Sequence, residues 1–168
     1  MRSLDSLLDE FRRWSVPRDG VGDNPFRLAC SLAGPATSDE IAEAWEASDV
    51  PAELVDLWSR CTSASLFEDV DYGQWGLRLL SPAGSARRSA EEREARPGVL
   101  EPTDVVIGEF LGDQELLVVS GSSGAALVAL PLDPREDWHR AGVSLTDFLG
   151  RYLDAAGEKY WESTSQVG

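Results

Sequence analysis

The sequence predicts an α+β fold with a mainly antiparallel sheet, and three observations carry that prediction. Residues 105–111, 116–119 and 127–130 are short runs rich in Val and Leu. Glycine turns, Gly112-Asp113-Gln114 and Gly121-Ser122-Ser123-Gly124, separate them. Short apolar runs bounded by such turns are the signature of hairpin-linked strands. An amphipathic segment, 145–153, then follows the strands instead of alternating with them, which points away from a parallel, doubly wound sheet.

Taken in order, Leu4, Leu7, Leu8, Phe11 and Trp14 recur at helical spacing. They mark an amphipathic helix that ends before Pro17. Residues 15–35 are rich in Gly, Pro and Asp and read as loop, with one short ordered piece at Phe26-Arg27-Leu28-Ala29-Cys30. Thr37 and Glu40 have the spacing of a capping box, which opens a helix over about 38–48. Pro51 suits the first turn of a second helix over about 51–61, because proline there loses no intrahelical bond.

Residues 66–67 and 77–80 are the strands flanking an acidic, aromatic turn. Residues 85–96 are charged without an apolar stripe, so a solvated helix or a mobile loop is expected. Ser144 and Asp147 cap a helix over about 145–156 that Gly157 can end. Tyr160 and Trp161 are positioned to close the C-terminal end over the domain. Residues 1–35 read as an N-terminal helix and loop extension, and 36–168 as one α+β domain.

Net charge is −15, and the two halves of the chain carry −8 and −7, so the acidity is global. Such a surface repels nucleic-acid phosphates and anionic lipid and favours a basic partner. No apolar run approaches the ~20 residues of a membrane span. Asp5, Asp9 and Glu10 interrupt any signal-peptide core. Cys30 and Cys61 form no CxxC pair, and nothing in the sequence requires a disulfide between them, so a reducing cytoplasm is expected. Lys159 is the single lysine among fifteen cations.

Four segments occur in a familiar order. Thr37-Ser38-Asp39-Glu40-Ile41 opens one helix and Pro51-Ala52-Glu53-Leu54 the next. Val106-Ile107-Gly108-Glu109 precedes a Gly-Asp turn, and Leu145-Thr146-Asp147-Phe148-Leu149 closes the block. This order resembles the SUKH superfamily, which holds bacterial toxin-immunity proteins and fungal Smi/Knr-type cell-wall regulators, over about residues 36–160. The resemblance implies a curved sheet with helices packed on one side. For a bacterial member it implies an immunity protein that binds and neutralises a polymorphic toxin, and for the regulator branch an intracellular scaffold. Two features depart from the family pattern. Arg60-Cys61-Thr62-Ser63-Ala64 stands where many members carry Asn-Gly, and residues 1–35 lie outside the family core.

No reaction centre is legible. His139, in Asp133-Pro134-Arg135-Glu136-Asp137-Trp138-His139-Arg140, reads as a solvated loop histidine rather than a general base. Gly121-Ser122-Ser123-Gly124 lacks nucleophile-elbow spacing. Glu68, Asp69 and Asp71 fail as a calcium loop, because Gly73 and Leu80 stand where ligands are needed. Glu109 and Glu115 offer paired carboxylates for glycoside cleavage, but charged residues on exposed strand faces far more often serve solvation. A small hydrolase is therefore the last reading. No cofactor, metal or catalytic residue is expected.

The binding face expected from the sequence is the turn 68–75, with Glu68, Asp69, Asp71, Tyr72 and Trp75, joined by Asp113 and Glu115 of the next turn. Carboxylates steer a basic protein, and an aromatic anchor holds it. The opposing expectation is that Tyr72 and Trp75 cap the sheet as core residues.

Overall fold

The computed structural model of the chain describes residues 2–46 and 49–165, the last three as backbone only. Eight strands form one open, curved antiparallel sheet in which every strand pairs with its neighbour in sequence. They are β1 (Arg18–Asp19), β2 (Arg27–Leu32), β3 (Ala64–Asp69), β4 (Leu77–Leu79), β5 (Val105–Phe110), β6 (Leu116–Val119), β7 (Ala126–Ala129) and β8 (His139–Gly142). The helices are α1 (Leu4–Arg12), α2 (Ser38–Ala44), α3 (Ala52–Trp58), α4 (Pro82–Ala95), α5 (Leu145–Asp154) and α6 (Tyr160–Ser165). The α+β class and the antiparallel sheet are those the sequence predicts.

Side-chain alternation divides the core. Leu66, Leu77, Val105, Ile107, Leu117, Val119 and Val128 point to one face. There they meet α1 through Leu7 and Phe11, α3 through Leu54 and Trp58, and α5 through Leu145, Phe148, Leu149 and Tyr152. Burying each such side chain contributes roughly 1.5–3 kcal/mol. Val106, Leu116, Val118 and Ala129 point the other way, into a smaller cluster with Leu100 and Trp138. Helix α4 lies against this second cluster, so one helix adds cover to the face opposite the main helical layer.

Several elements depart from the sequence expectations. Residues 18–19, expected as loop, are strand β1, and the short ordered piece expected at 26–30 is strand β2, which runs on to Leu32. They add to the same sheet, and α1 docks in the same core, so residues 2–35 are built into the domain. Arg2 fixes that docking through the Gly150 carbonyl and Asp154. Residues 139–142, where His139 is expected in a solvated loop, form β8 against β7. Helix α2 stops at Ala44, because Trp45 turns to an extended backbone and its indole N–H donates to the Pro82 carbonyl. The remainder of the helix expected over 38–48 includes residues 47 and 48, which lie outside the described residues.

Of the solvated helix or mobile loop expected over 85–96, residues 85–95 are helix, with Arg87, Glu91 and Glu94 exposed but one face docked on the sheet. The face that α4 buries consists of Pro82, Ser85, Ser89 and Glu92, at helical spacing but polar, which is why no apolar stripe marks it. Arg93 donates to the carbonyls of Glu101, Pro102 and Asp104, and Arg96 to those of Leu130 and Asp133. These arginines pin two loops to the helix.

Strand β3 carries an extra residue relative to β2. A bulge breaks strict alternation, so Leu66 and Phe67 both enter the main core. Phe67 takes a positive φ of 52° and packs edge-on to Phe11, Trp14 and Tyr152. Its N–H donates to the Cys30 sulfur.

Candidate partner-binding site

Strands β3 and β4 are joined by a turn that Asp69 organises. One carboxylate oxygen accepts the N–H groups of Asp71 and Tyr72, and the other accepts that of Gln74. These bonds satisfy backbone donors that the turn would otherwise leave open. Gly76, at φ 125°, closes the turn; a Cβ there would lie 2.7 Å from the Glu68 Cα. Gly112 closes the β5–β6 turn in the same way, its Cα backing directly onto the Gln74 carbonyl. The Leu111 N–H donates to the Gly76 carbonyl at 2.9 Å. The two turns are thus in backbone contact and form one tip of the sheet.

Lys159 joins the chain's C-terminal end to this tip. Its ammonium bonds Asp113 and, at 2.7 Å, Glu115. It also lies 5.2 Å from the Trp75 ring centroid and 5.6 Å from that of Phe110. Burial acts to lower the Lys159 pKa, but the two carboxylates outweigh it and the net shift is upward. The Trp75 indole N–H donates to the Gly157 carbonyl, and its ring stacks on Phe26 at 6.4 Å.

The residues expected at a binding face divide by this geometry. Tyr72 is 75% exposed, and Asp71 on the same turn and Asp113 on the adjoining turn are exposed too. Arg27 binds Asp71 with two hydrogen bonds and holds its carboxyl below the usual carboxylate range. Glu68 is half-buried and bonded to Arg78 at 3.1 Å. Trp75 is half-buried, with its ring against Phe26 and Lys159 and its N–H bonded within the protein. Asp69 and Glu115 are only 2% and 7% exposed, because one shapes the turn and the other receives Lys159. The surface open to a partner is therefore Asp71, Tyr72 and Asp113, supported from beneath by Asp69, Trp75, Glu115 and Lys159.

Sequence reasoning missed Phe26, Arg27, Gly157 and Lys159 at this tip. The one available signal was that Lys159 is the chain's single lysine among acids.

A cavity of about 500 Å³ opens beside the tip, lined in part by Gln74, Arg88, Glu92, Arg96, Glu109 and Glu115. Glu92 receives Arg88 and Arg96, and Glu115 receives Lys159. Glu109 has no side-chain hydrogen bond or ion pair among the described residues. Glu109 and Glu115 therefore share a cleft but not an environment.

Elsewhere, His139 starts β8 and is half-buried, paired in register with Val128. Its side chain makes no hydrogen bond to a carboxylate among the described residues. Cys30 and Cys61 are both buried free thiols, and burial raises the pKa of each, which makes them poor nucleophiles. Among the described residues no three His, Cys, Asp or Glu side chains cluster as metal ligands, and no helix is long and apolar enough to cross a membrane. No protein-family model matches the chain, and no curated protein matches it.

Proposed function

We propose that this chain is a non-enzymatic protein-binding domain, an immunity protein of the SUKH type that neutralises a basic bacterial toxin by direct binding in the cytoplasm. The observation that carries the proposal is Tyr72. A large aromatic, 75% exposed, stands next to Asp71 on a turn that backbone bonds lock to the turn carrying Asp113. An exposed aromatic on a rigid acidic tip supplies both parts of a tight interface. The carboxylates accelerate encounter with a basic surface, and the ring provides the desolvated anchor. Because Asp69, Gly76 and Gly112 fix the turns beforehand, little ordering cost opposes binding. The net charge of −15 and the resemblance in motif order support the same reading.

The test is co-expression with the C-terminal effector domain of a toxin encoded beside this gene. The expected result is restored growth and a purified stoichiometric complex. Tyr72→Ala is expected to weaken binding by about 2 kcal/mol or more, chiefly through faster dissociation. Asp71→Asn is expected to reduce the salt dependence of association. Failure of the effector to bind, or binding unchanged in both folded variants, sinks the proposal.

A further inference from the structure

Helices α2 and α3 leave between them an apolar groove of about 430 Å³. It lies near Pro82, just beyond the end of β4 that is away from the acidic tip. Ile41 and Val50 form its buried floor. Trp45 is its wall, held in place by the bond from its indole N–H to the Pro82 carbonyl. Ala42 and Ala52 keep the lips low, and Val55 is 37% exposed along it. The volume falls in the range of ligand clefts.

Charge identifies the occupant. Between Ser38 and Asp56 the sequence carries seven acids and no base. Asp39, Glu43, Glu46 and Asp49 are exposed, and none has an ion pair among the described residues. The next cation in the chain, Arg60, is already held by Asp5 and Asp56. An apolar trough between two helical segments, with these four exposed acids lacking ion pairs among the described residues, disfavours an acidic segment, anionic lipid and a second copy of this chain. It favours an apolar segment with cationic flanks. Helix α2, with seven residues, is ~10 Å long, enough to lie beside two anchors one helical turn apart.

We infer that the α2–α3 groove docks a cationic amphipathic helix of a protein partner, with aliphatic side chains on Ile41, Val50 and Trp45 and with lysines or arginines on the rim. This surface is separate from the acidic tip, and the inference stands without the immunity reading.

The probe is a short amphipathic helical peptide of leucine and lysine, titrated into the full chain by calorimetry and by amide-resolved NMR. A peptide with serine for leucine, of equal charge, controls for general attraction to an acidic protein. A leucine–glutamate peptide controls for apolar contact alone. The expected result is saturable binding of the first peptide with shifts confined to α2, α3 and Val50. Affinity should be at least about tenfold above either control. Val55→Asp adds an attractive charge but removes apolar surface, and should weaken binding about tenfold. Glu43→Lys with Glu46→Lys should weaken it comparably through charge, and Tyr72→Ala should leave it unchanged. No binding, equal binding of the serine peptide, shifts centred on 69–76 and 111–115, or self-association of the chain through the groove would each overturn the inference.

Discussion

Ser89 and Val106 are joined by a 2.9 Å hydrogen bond from the buried strand N–H to the helix hydroxyl. One turn earlier on α4, the Ser85 hydroxyl donates to the carbonyl of the same Val106. The register of β5 against β6 shifts between Val106 and Gly108. A bulge disrupts the ladder locally, and here two serines satisfy both backbone groups of one residue beside it. Ser89→Ala leaves a buried N–H without a partner and is expected to cost about 1–3 kcal/mol. Urea unfolding measures the cost, and hydrogen exchange should show the Val106 amide losing protection. An unchanged unfolding midpoint would mean that α4 docks by other contacts.

The buried position of Asp69 gives a graded expectation. Asp69→Ala removes acceptors for three N–H groups and should destabilise the fold by about 2 kcal/mol. Asp69→Asn keeps one acceptor oxygen, the one used by Asp71 and Tyr72, and should cost about half as much. Thermal unfolding of the two variants reads the order. Equal costs would show that the turn does not depend on these bonds.

Lys159 holds the C-terminal end to the tip through Asp113 and Glu115. Lys159→Met leaves Glu115 buried without its cation and should cost about 2 kcal/mol, less than a fully buried pair because Asp113 remains exposed. In Lys159→Met with Glu115→Gln the losses should sum to less than their separate values, since the second change removes the orphaned charge. Chemical denaturation of the four proteins completes the cycle. Simple additivity would refute the coupling.

Alkaline pH should destabilise the fold. Burial pushes the Cys30 thiol from 9.0 up to about 12. The folded protein therefore keeps a proton that the unfolded chain releases. The stability contribution is full below pH 9 and is lost as pH rises toward 12. Burial also raises the Tyr152 and Tyr160 hydroxyls, and the Lys159 ammonium is shifted upward overall, so their contributions fall in the same direction at still higher pH. Cys30→Ala should flatten the decline of the urea midpoint above pH 9 relative to the parent protein. A parallel decline in both proteins would show that the thiol has no part in it.

The sequence by itself determined the elements whose signal is local. Periodicity marked α1 and α5, the Thr37–Glu40 box marked the start of α2, and glycine turns bounded β5, β6 and β7. Each depends on residues within a few positions of one another, so a linear reading finds them. Strand β2 is legible only as a short ordered piece, and helix α4 only as a solvated helix or a mobile loop, because their reasons are distant. The outward residues of β2 are small or polar, and the strand forms against β3, some forty residues on. Helix α4 binds through serines and arginines to backbone groups of β5 and of the loops beyond it, which no hydrophobic pattern announces.

The candidate tip divides in the same way. The sequence located its acids and aromatics, but only the tertiary structure decided which of them face outward. Asp69 turns inward to three N–H groups, Glu115 and Trp75 close around Lys159, and Tyr72 is left in the open. A side chain's type fixes what it can bond. Which partner it meets depends on backbone that arrives from elsewhere in the chain, as the return of residues 157–159 to the β5–β6 turn shows.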